Sequence, residues 1–442
     1  MSAKAVTIGI DIGTTAVKAV AADEDGRVAA RVRIPHRLLV PAPNQLEHDA
    51  DEAWRRGPLA ALAELRRPDA SALAVTAMVP SLTAVDVDGR PLTPGLLYGD
   101  VRGRRDAGPD TTFLSGEAEA FLRWTVGEAP DAHGYWPAAA VANHMLAGEA
   151  IIDNSTASTA YPLFDGERWS ESVCAECGTE PAAMPQVKTT GVAAGRLRGS
   201  DTVLAAGAVD AVCEQIVAGA DEDGDVLVLC GTTLIVWVTT SEFREVPGLW
   251  TLPHTAAGKL QIGGPSNAGG LFLGWVDRLV TPNGDVDPGR VPVWSPYLRG
   301  ERVPLHDPDR RGVLDGLDLT HDGAAVRRAA YEASGFVVRQ IIEMSGARAR
   351  RIVATGGGTR VAPWMQAIAD ATGLPVSVSG VAEGAALGAA FFARMAAGLE
   401  TAVGDAARWA SVCRIVEPDP AWADPVQDRY ARFLELAGEP SA

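Results

Sequence analysis

Two stretches of the chain repeat one pattern, in which an apolar strand, a Gly-Thr-Thr turn and a second apolar strand follow one another. The first stretch runs from Thr7 to Val20 and the second from Val226 to Val238. This pattern predicts a β-hairpin at each place, and the turn glycine lets a ligand approach the backbone closely. The threonines add hydroxyl and amide donors suited to phosphate oxygens. One copy alone would indicate only a common turn, but two copies in matching strand contexts predict duplicated domains that face one cleft.

The rest of the chain alternates helices and strands, as in an α/β protein. Helices are predicted from Asp49 to Leu65, from Pro137 to Gly148, from about Asp322 to Met344 and from Glu383 to Ala397, and a strand followed by a helix within Asp201–Gly219 and again from Ile352. The polar, turn-rich connector Asp221–Asp225 is the predicted domain boundary. We therefore assign residues 1–222 to an N-terminal lobe and residues 223–442 to a C-terminal lobe.

Composition limits the classes of protein and partner. The 442 residues suffice for more than one domain, and 47% hydrophobic with 21% charged residues is typical of a globular chain with a full core. The formal net charge is −17, and an acidic surface disfavours nucleic acid and anionic membranes as partners. A phosphate-bearing ligand would need local cations, backbone amides or a metal. We expect neither a signal peptide nor a membrane span, and hence a cytoplasmic protein.

Two aspartates stand where chemistry on a phosphate could occur. Asp11 ends the first strand, just before the Gly-Thr-Thr turn, where a carboxylate repels phosphate unless a cation such as Mg²⁺ intervenes. A turn-capping aspartate is the alternative. Asp210 opens the helix that follows an apolar strand, and such junctions line clefts in α/β folds. A kinase needs a base there to accept the hydroxyl proton, although a plain helix N-cap would place an aspartate at the same position.

A further glycine turn suggests a nucleotide site. Gly356–Gly358 lies between a predicted strand and a predicted helix, and bare backbone there lets a nucleotide approach closely. A flexible connection is the alternative. The chain lacks the GxxxxGK[ST] pattern, so a P-loop ATPase is not supported.

The order of these motifs resembles that of the FGGY carbohydrate kinases, most closely the xylulokinase-like branch. The resemblance extends from about Thr7 to Gly398, nearly the whole chain. The combination and order are highly specific, although single motifs are not. The motifs are Ile10–Thr15, Gln45–Asp49 with Trp54, Leu146–Glu149, Gly207–Asp210, Gly231–Thr233, Tyr297–Pro304, Gly356–Gly358 and Glu383–Ala390.

The resemblance implies a two-lobed actin/hexokinase-like α/β fold of duplicated ribonuclease-H-like domains with a central cleft. Sugar would bind mainly to the first lobe and nucleotide to the second. Asp210 would be the general base and Asp11 the Mg²⁺ anchor, with ATP as the phosphoryl donor. The nucleotide contacts implied in this way are Gly13, Thr14, Thr15, Gly231, Thr232, Thr233, Gly269, Gly357 and Gly358.

Two departures from the family pattern fall on the sugar side. The family commonly carries a Met-His pair, and here Val79 follows Met78. The family's W-N-D-x-R stands as Tyr98–Arg102, which keeps Asp100 and Arg102 but loses Trp and Asn. We expect a sugar pocket built from Met78, Asp100, Arg102 and Asp210, and weak activity on D-xylulose. The alternative is that Asp100 and Arg102 pair with each other only to brace a loop.

The resulting hypothesis is phosphorylation of a primary hydroxyl of a small sugar, either a ketose such as D-xylulose or a polyol, with ATP and Mg²⁺. The expected partner is that small molecule, with no nucleic acid and no membrane, and a homodimer stays open. A non-kinase nucleotide-dependent conformational module of the same fold is one alternative. A sugar-sensing protein with weak catalysis is the other. Asp210 together with Gly300–Arg302 favours the kinase.

Overall fold

The chain packs into two units, and their limits differ from the two continuous segments that the sequence suggests. The computed structural model describes residues 5–104, 117–281, 284–381 and 383–438. The first unit comprises Met1–Val217 and Glu383–Trp409, and the second comprises Ala218–Ala382 and Ala410–Ala442. The division at 222/223 therefore misses a segment that rejoins the first unit late in the chain. Local pattern could not show this return, because it depends on packing between residues far apart in sequence.

The strands of the first unit are β1 (Val6–Ile12), β2 (Ala16–Ala22), β3 (Val28–Pro35), β4 (Glu47–His48), β5 (Ala70–Ala77), β6 (Ser81–Val85), β7 (Gly95–Leu97), β8 (Gly134–Trp136), β9 (Ile151–Asp153), β10 (Gln186–Lys188), β11 (Ala193–Arg196) and β12 (Val203–Ala205). Those of the second unit are β13 (Asp225–Cys230), β14 (Leu234–Thr240), β15 (Trp250–Pro253), β16 (Leu260–Ser266), β17 (Val293–Ser295), β18 (Val313–Asp315), β19 (Arg351–Thr355), β20 (Val376–Ser379) and β21 (Val412–Val416).

The helices are α1 (Gly57–Leu65), α2 (Glu117–Glu128), α3 (Ala138–Ala147), α4 (Asn154–Ser158), α5 (Glu171–Glu176), α6 (Asp210–Ile216), α7 (Gly270–Leu279), α8 (Gly323–Ser345), α9 (Ala362–Thr372), α10 (Gly384–Ala396) and α11 (Ala423–Ala437). A π-helical turn, Asp51–Arg56, precedes α1, and short 3₁₀ turns occur at Pro181–Ala183, Gly357–Arg360, Val403–Trp409 and Pro420–Trp422. In the parts of the chain that are described, no helix is long and apolar enough to cross a membrane.

The main sheets of the two units share a topology. In the first unit the order is β11-β12-β5-β1-β2-β3, with β1, β5 and β12 parallel and β2 antiparallel to both neighbours. In the second unit the order is β15-β16-β14-β13-β19-β20-β21, with β13, β19 and β20 parallel and β14 antiparallel to both neighbours. Each sheet thus joins an antiparallel meander to parallel strands, and the duplication predicted from the two hairpins is confirmed.

Smaller sheets complete the units. In the first unit β4, β7, β6 and β8 form one in that order, and β9 pairs with β10 in parallel. In the second unit β17 pairs with β18. The predicted hairpins and the segments 137–148, 322–344, 352–355 and 383–397 all correspond to observed strands or helices.

Helix α10 explains why residues 383–409 belong to the first unit. It packs against β1, β5 and α6. A Cβ atom on Gly9 in β1 would overlap the carbonyl oxygen of Ala386, and one on Gly388 would overlap that of Cys213 in α6. Gly9 and Gly388 are therefore needed for the close approach of α10 to β1 and α6. Strand β1 is buried throughout and apolar except at Thr7, Gly9 and Asp11, as expected of a central strand covered on both faces.

Candidate active site

The first Gly-Thr-Thr turn lies between β1 and β2, and the hairpin register determines what faces Asp11. Asp11 and Lys18 are opposite each other in the two strands, and the Lys18 ammonium donates to Asp11 Oδ2 at 3.1 Å. The charge of the buried Asp11 carboxylate raises the pKa of Lys18 above its usual value. The structure thus places Asp11 beside the turn, as predicted. It also adds a cation, Lys18, that the sequence interpretation left without a role although the hairpin pairing implies it.

Asp210 is the first residue of α6 and is partly exposed. Its Oδ1 accepts a hydrogen bond from Ala211 N at 2.7 Å, which is not the bond to a donor two or three residues on that an N-cap side chain makes. Burial, and then the negative charge of Asp11, raise the pKa of Asp210 to about 7. The structure therefore brings Asp11, Lys18 and Asp210 together within the first unit.

The segment before Asp210 is tied to two neighbouring elements. Thr76 in β5 donates to the carbonyl oxygen of Ala208 at 2.8 Å. Val209 N donates to Ser155 Oγ in α4 at 2.9 Å, and that hydroxyl in turn donates to Asp153. These bonds hold the start of α6 at the ends of β5 and β9, so the position of Asp210 depends on residues distant in sequence.

Buried aromatic residues brace the first turn. Trp54 Nε1 donates to His48 Nδ1 at 3.0 Å, so His48 Nε2 carries the hydrogen and donates to the carbonyl oxygen of Thr14 at 2.8 Å. The Tyr98 hydroxyl lies 2.8 Å from Thr14 Oγ1. Burial lowers the pKa of His48 to about 4, so this histidine is neutral at physiological pH. Sequence reasoning used His48 and Trp54 only as parts of a motif and assigned them no role.

Two of the predicted sugar residues, Asp100 and Arg102, bond to each other. Asp100 is fully buried and accepts from Leu46 N at 2.7 Å and from Arg102 Nη2 at 2.7 Å. Arg102 also donates to Glu47 at 2.7 Å and lies over the Trp124 ring. These contacts match the alternative in which Asp100 and Arg102 brace a loop, and a sugar contact from either stays a prediction.

Met78 and Val79 differ in where their side chains lie. Met78 is buried, and its backbone N–H donates to Ile12 O at 3.1 Å, which extends the pairing of β5 with β1. Val79 instead lines a recess of the first unit, together with Ser81, Thr156, Thr159, Trp169 and Met184 among others. The recess is mostly apolar. Met78, Asp100 and Arg102 do not line it, although its residue Thr156 directly follows Ser155, which holds the backbone before Asp210.

The second Gly-Thr-Thr turn joins β13 to β14 and is hydrogen-bonded to the start of α7. Gly270 N donates to Gly231 O at 2.8 Å, and Leu271 N donates to Thr232 O at 3.1 Å. A Cβ atom on Gly269 would overlap the backbone of Thr233 and Leu234, so only glycine fits this approach. The hairpin turn and the N-terminus of α7 are therefore one compact structure.

The Gly356–Gly358 turn packs against the same strand end. Gly356 has φ = 90°, a left-handed conformation that favours glycine. A Cβ atom on Gly358 would overlap Cys230 at the end of β13 and the ring of Trp364, whereas one on Gly357 would meet open space. The predicted contacts of the second unit thus gather at the carboxyl ends of the parallel strands β13 and β19, the usual place for a ligand in such sheets.

One loop that the sequence did not assign to the site reaches the second Gly-Thr-Thr turn. Arg302 Nη2 donates to Thr233 Oγ1 at 3.1 Å. The neighbouring Glu301 is fully buried, and burial raises its pKa to about 7. In the sequence interpretation Gly300–Arg302 belonged to a family motif and separated kinases from other proteins of the fold, but it had no place in the site. Arg302 was the signal that could have assigned this segment to the site, because an acidic chain needs local cations to bind phosphate.

Two family profiles match the chain in order. The FGGY family of carbohydrate kinases, N-terminal domain, matches residues 6–106, and the C-terminal domain of the same family matches residues 226–397. Together they cover more than half of the chain. The chain belongs to the FGGY family of carbohydrate kinases. This FGGY protein is therefore a carbohydrate kinase, with the two-domain α/β fold that the sequence predicted.

Individual relatives of this FGGY kinase are named for different substrates. The xylulose kinase of Escherichia coli K12 is 25% identical, with 89% of this chain and 90% of that protein covered. The glycerol kinase of Nocardia farcinica is 26% identical, with 95% and 94% covered. The solved structure of xylulose kinase from Rhodospirillum rubrum is 25% identical, with a TM-score of 0.76 over 98% of both chains. Such similar identities establish a sugar or polyol kinase and leave its substrate open.

The carboxylates of the first unit fit a divalent cation. Asp11 lies close enough to Asp210 for its charge to raise the pKa of Asp210, and a cation there would relieve this repulsion. Mg²⁺ is commonly held through one or two carboxylates together with substrate phosphates. No group of three or more His, Cys, Asp or Glu side chains that could hold a metal occurs among the described residues.

Proposed function

We propose that this FGGY kinase transfers the γ-phosphate of ATP to a primary hydroxyl of a small ketose or polyol, with Asp210 as the general base. The observation that supports this most is the environment of Asp210. Burial and the charge of Asp11 raise its pKa to about 7. A base is most effective when its pKa lies near the working pH, because a substantial fraction is then deprotonated and still basic enough to take a hydroxyl proton.

The geometry of the second unit supports a nucleotide site there. Gly231–Thr233, Gly269 and Gly357–Gly358 gather at the ends of β13 and β19, where backbone N–H groups and threonine hydroxyls can donate to phosphate oxygens. Gly13–Thr15 repeats this turn chemistry in the first unit. We assign nucleotide phosphates to the turns of the second unit and the adenosine to the surface beside Gly357.

The proposed cofactor is Mg²⁺, held by Asp11. When bound, Mg²⁺ neutralises charge on the nucleotide phosphates. Lys18, bonded to Asp11 at 3.1 Å, keeps a positive charge at the hairpin and orients the carboxylate. Asp210 accepts the proton of the attacking hydroxyl, and the bonds from Thr76 and Ser155 to the preceding segment hold it in place for that step.

The acceptor pocket is proposed to lie in the first unit, near Asp210 and the recess beside Val79. Asp100 accepts hydrogen bonds from Leu46 N and from Arg102, and Arg102 also donates to Glu47. A hydroxyl that loses a buried partner costs about 1–3 kcal/mol. With Val79 where the family commonly carries histidine, we therefore expect D-xylulose to be a weaker substrate than another ketose or a polyol.

The test compares Asp210→Asn with Glu214→Gln, a matched variant of another carboxyl in the same helix. ADP release would be measured on a panel of ketoses and polyols. We expect Asp210→Asn to lower kcat by roughly 10²–10⁴-fold on the best substrate, because the proton acceptor is lost, while ADP affinity changes little. Glu214→Gln removes only a smaller contribution to the raised pKa of Asp210, so it should retain most of the activity. Wild-type turnover in Asp210→Asn would overturn the assignment of the base.

A further inference from the structure

Arg302 is the residue through which the loop after β17 reaches the second Gly-Thr-Thr turn. Its Nη2 donates to Thr233 Oγ1 at 3.1 Å. A hydroxyl oxygen that accepts a hydrogen bond still carries its own hydrogen, which is then directed to another acceptor. The contact therefore places a cation beside Thr233 and leaves the Thr233 hydroxyl able to donate to a ligand.

The backbone at Arg302 is firmly held by the buried Glu301. The Glu301 carboxylate accepts from Arg302 N at 2.6 Å, from Asn267 N at 2.8 Å and from Ser266 Oγ at 2.8 Å. Val303 N donates to Pro265 O at 3.1 Å, which fastens the loop to the end of β16. With the backbone fixed in this way, the hydrogen bond to Thr233 Oγ1 holds the partly exposed Arg302 side chain against the turn.

The net charge of the protein makes a cation at the position of Arg302 important for binding phosphate. The chain carries a net charge of −17, so a polyphosphate approaching the turn meets a repulsive field unless a local cation offsets it. A guanidinium is always protonated, and its planar set of N–H groups matches phosphate oxygens.

We propose that Arg302 binds the terminal phosphates of the nucleotide, with Thr233 holding the guanidinium and donating its own hydroxyl hydrogen to the same phosphate group. This inference rests on the proposed function, since it takes the second unit as the nucleotide site. It adds a cationic contact to a site otherwise built from glycine turns and hydroxyls.

The experiment measures binding of adenosine, AMP and ADP by calorimetry to the full chain and to Arg302→Met and Arg302→Lys. Arg302→Met should weaken ADP binding about 10- to 100-fold, because a charged hydrogen bond to phosphate is lost. AMP should lose less, and adenosine affinity should stay unchanged. Arg302→Lys, which keeps the charge but loses the planar fork, should lie between wild type and Arg302→Met for ADP.

Arg311→Met is the matched control, because this substitution removes the same charge from the same region. The Arg311 side chain itself donates to the carbonyl oxygens of Pro308 and Arg310. The variant should bind all three ligands like wild type. Unchanged adenosine affinity also shows that Arg302→Met is folded, and Arg302→Lys provides the test if it is not. If wild type binds ADP and both Arg302 variants bind it equally well, the role of Arg302 is overturned while the proposed function stands. Wild type that binds neither ADP nor adenosine would overturn the proposed function as well.

Discussion

Two carboxylates of the first unit have different environments although both stand close to the first turn. Asp11 is ion-paired with Lys18 across the hairpin at 3.1 Å. Asp210 is only partly exposed, and this burial together with the charge of Asp11 raises its pKa to about 7. Residue types and spacing indicated both aspartates, but the difference between them depends on burial and on neighbours from other elements.

A pH dependence follows from the raised pKa of Asp210. The base must be deprotonated to accept a proton, so kcat/KM should rise as the pH increases through about 7. The positive charge of Lys18 lowers the pKa of Asp210, so Lys18→Met should raise it and move the rise in activity to higher pH. The measurement is a pH profile of kcat/KM for wild type and variant.

Lys259→Met is the control for that profile, because Lys259 forms a comparable ion pair with Asp223 at 3.0 Å in the second unit. It should leave the position of the rise unchanged. A Lys18→Met profile that moves to lower pH, or does not move, would contradict the assigned influence of Lys18 on Asp210.

At the level of elements, close packing of α10 accounts for several small residues. Gly9 in β1 faces the backbone of Ala386, and Gly388 faces the backbone of Cys213 in α6. The sequence showed that this helix could approach a neighbour closely. Which neighbour it approaches depends on the fold, and the structure identifies β1, β5 and α6.

Replacing Gly388 with alanine should destabilise the protein. The added Cβ atom would overlap the Cys213 carbonyl oxygen, and overpacking of this kind typically costs about 1–3 kcal/mol. Gly127→Ala in α2 is the matched control, because a Cβ atom there meets nothing within 4 Å. Alanine has a higher helix propensity than glycine, so this variant should be as stable as wild type or slightly more stable. Urea unfolding measures both, and equal midpoints would contradict the packing argument.

For the whole molecule, the chain leaves the first unit after Val217 and returns to it with Glu383–Trp409. Strand β1 is buried throughout, and α10 supplies part of its cover. A first unit without this segment would expose apolar surface, which disfavours folding. The domain boundary drawn from the polar connector near residue 222 is a boundary in sequence, whereas the packed unit is discontinuous.

Fragments of the chain test this division. Residues 1–222 alone should not unfold cooperatively, because β1 lacks α10. Residues 1–217 joined by a long flexible Gly-Ser linker to residues 383–409 should show native-like circular dichroism and a cooperative transition in urea. Cooperative unfolding of the 1–222 fragment with the same midpoint as the linked fragment would contradict the division.

The sequence by itself determined the duplicated hairpins, the main helices and the family. It also indicated the aspartates and glycine turns of the candidate site, because apolar periodicity and turn chemistry are local properties. Tertiary structure decided which distant parts of the chain meet, such as Arg302 with Thr233 and α10 with the first unit. It also showed Asp100 bonded to Arg102, a pairing that the sequence left open beside a sugar contact. Such pairings and the burial that shifts a pKa depend on how whole elements pack, often far apart in the chain, which no local pattern encodes.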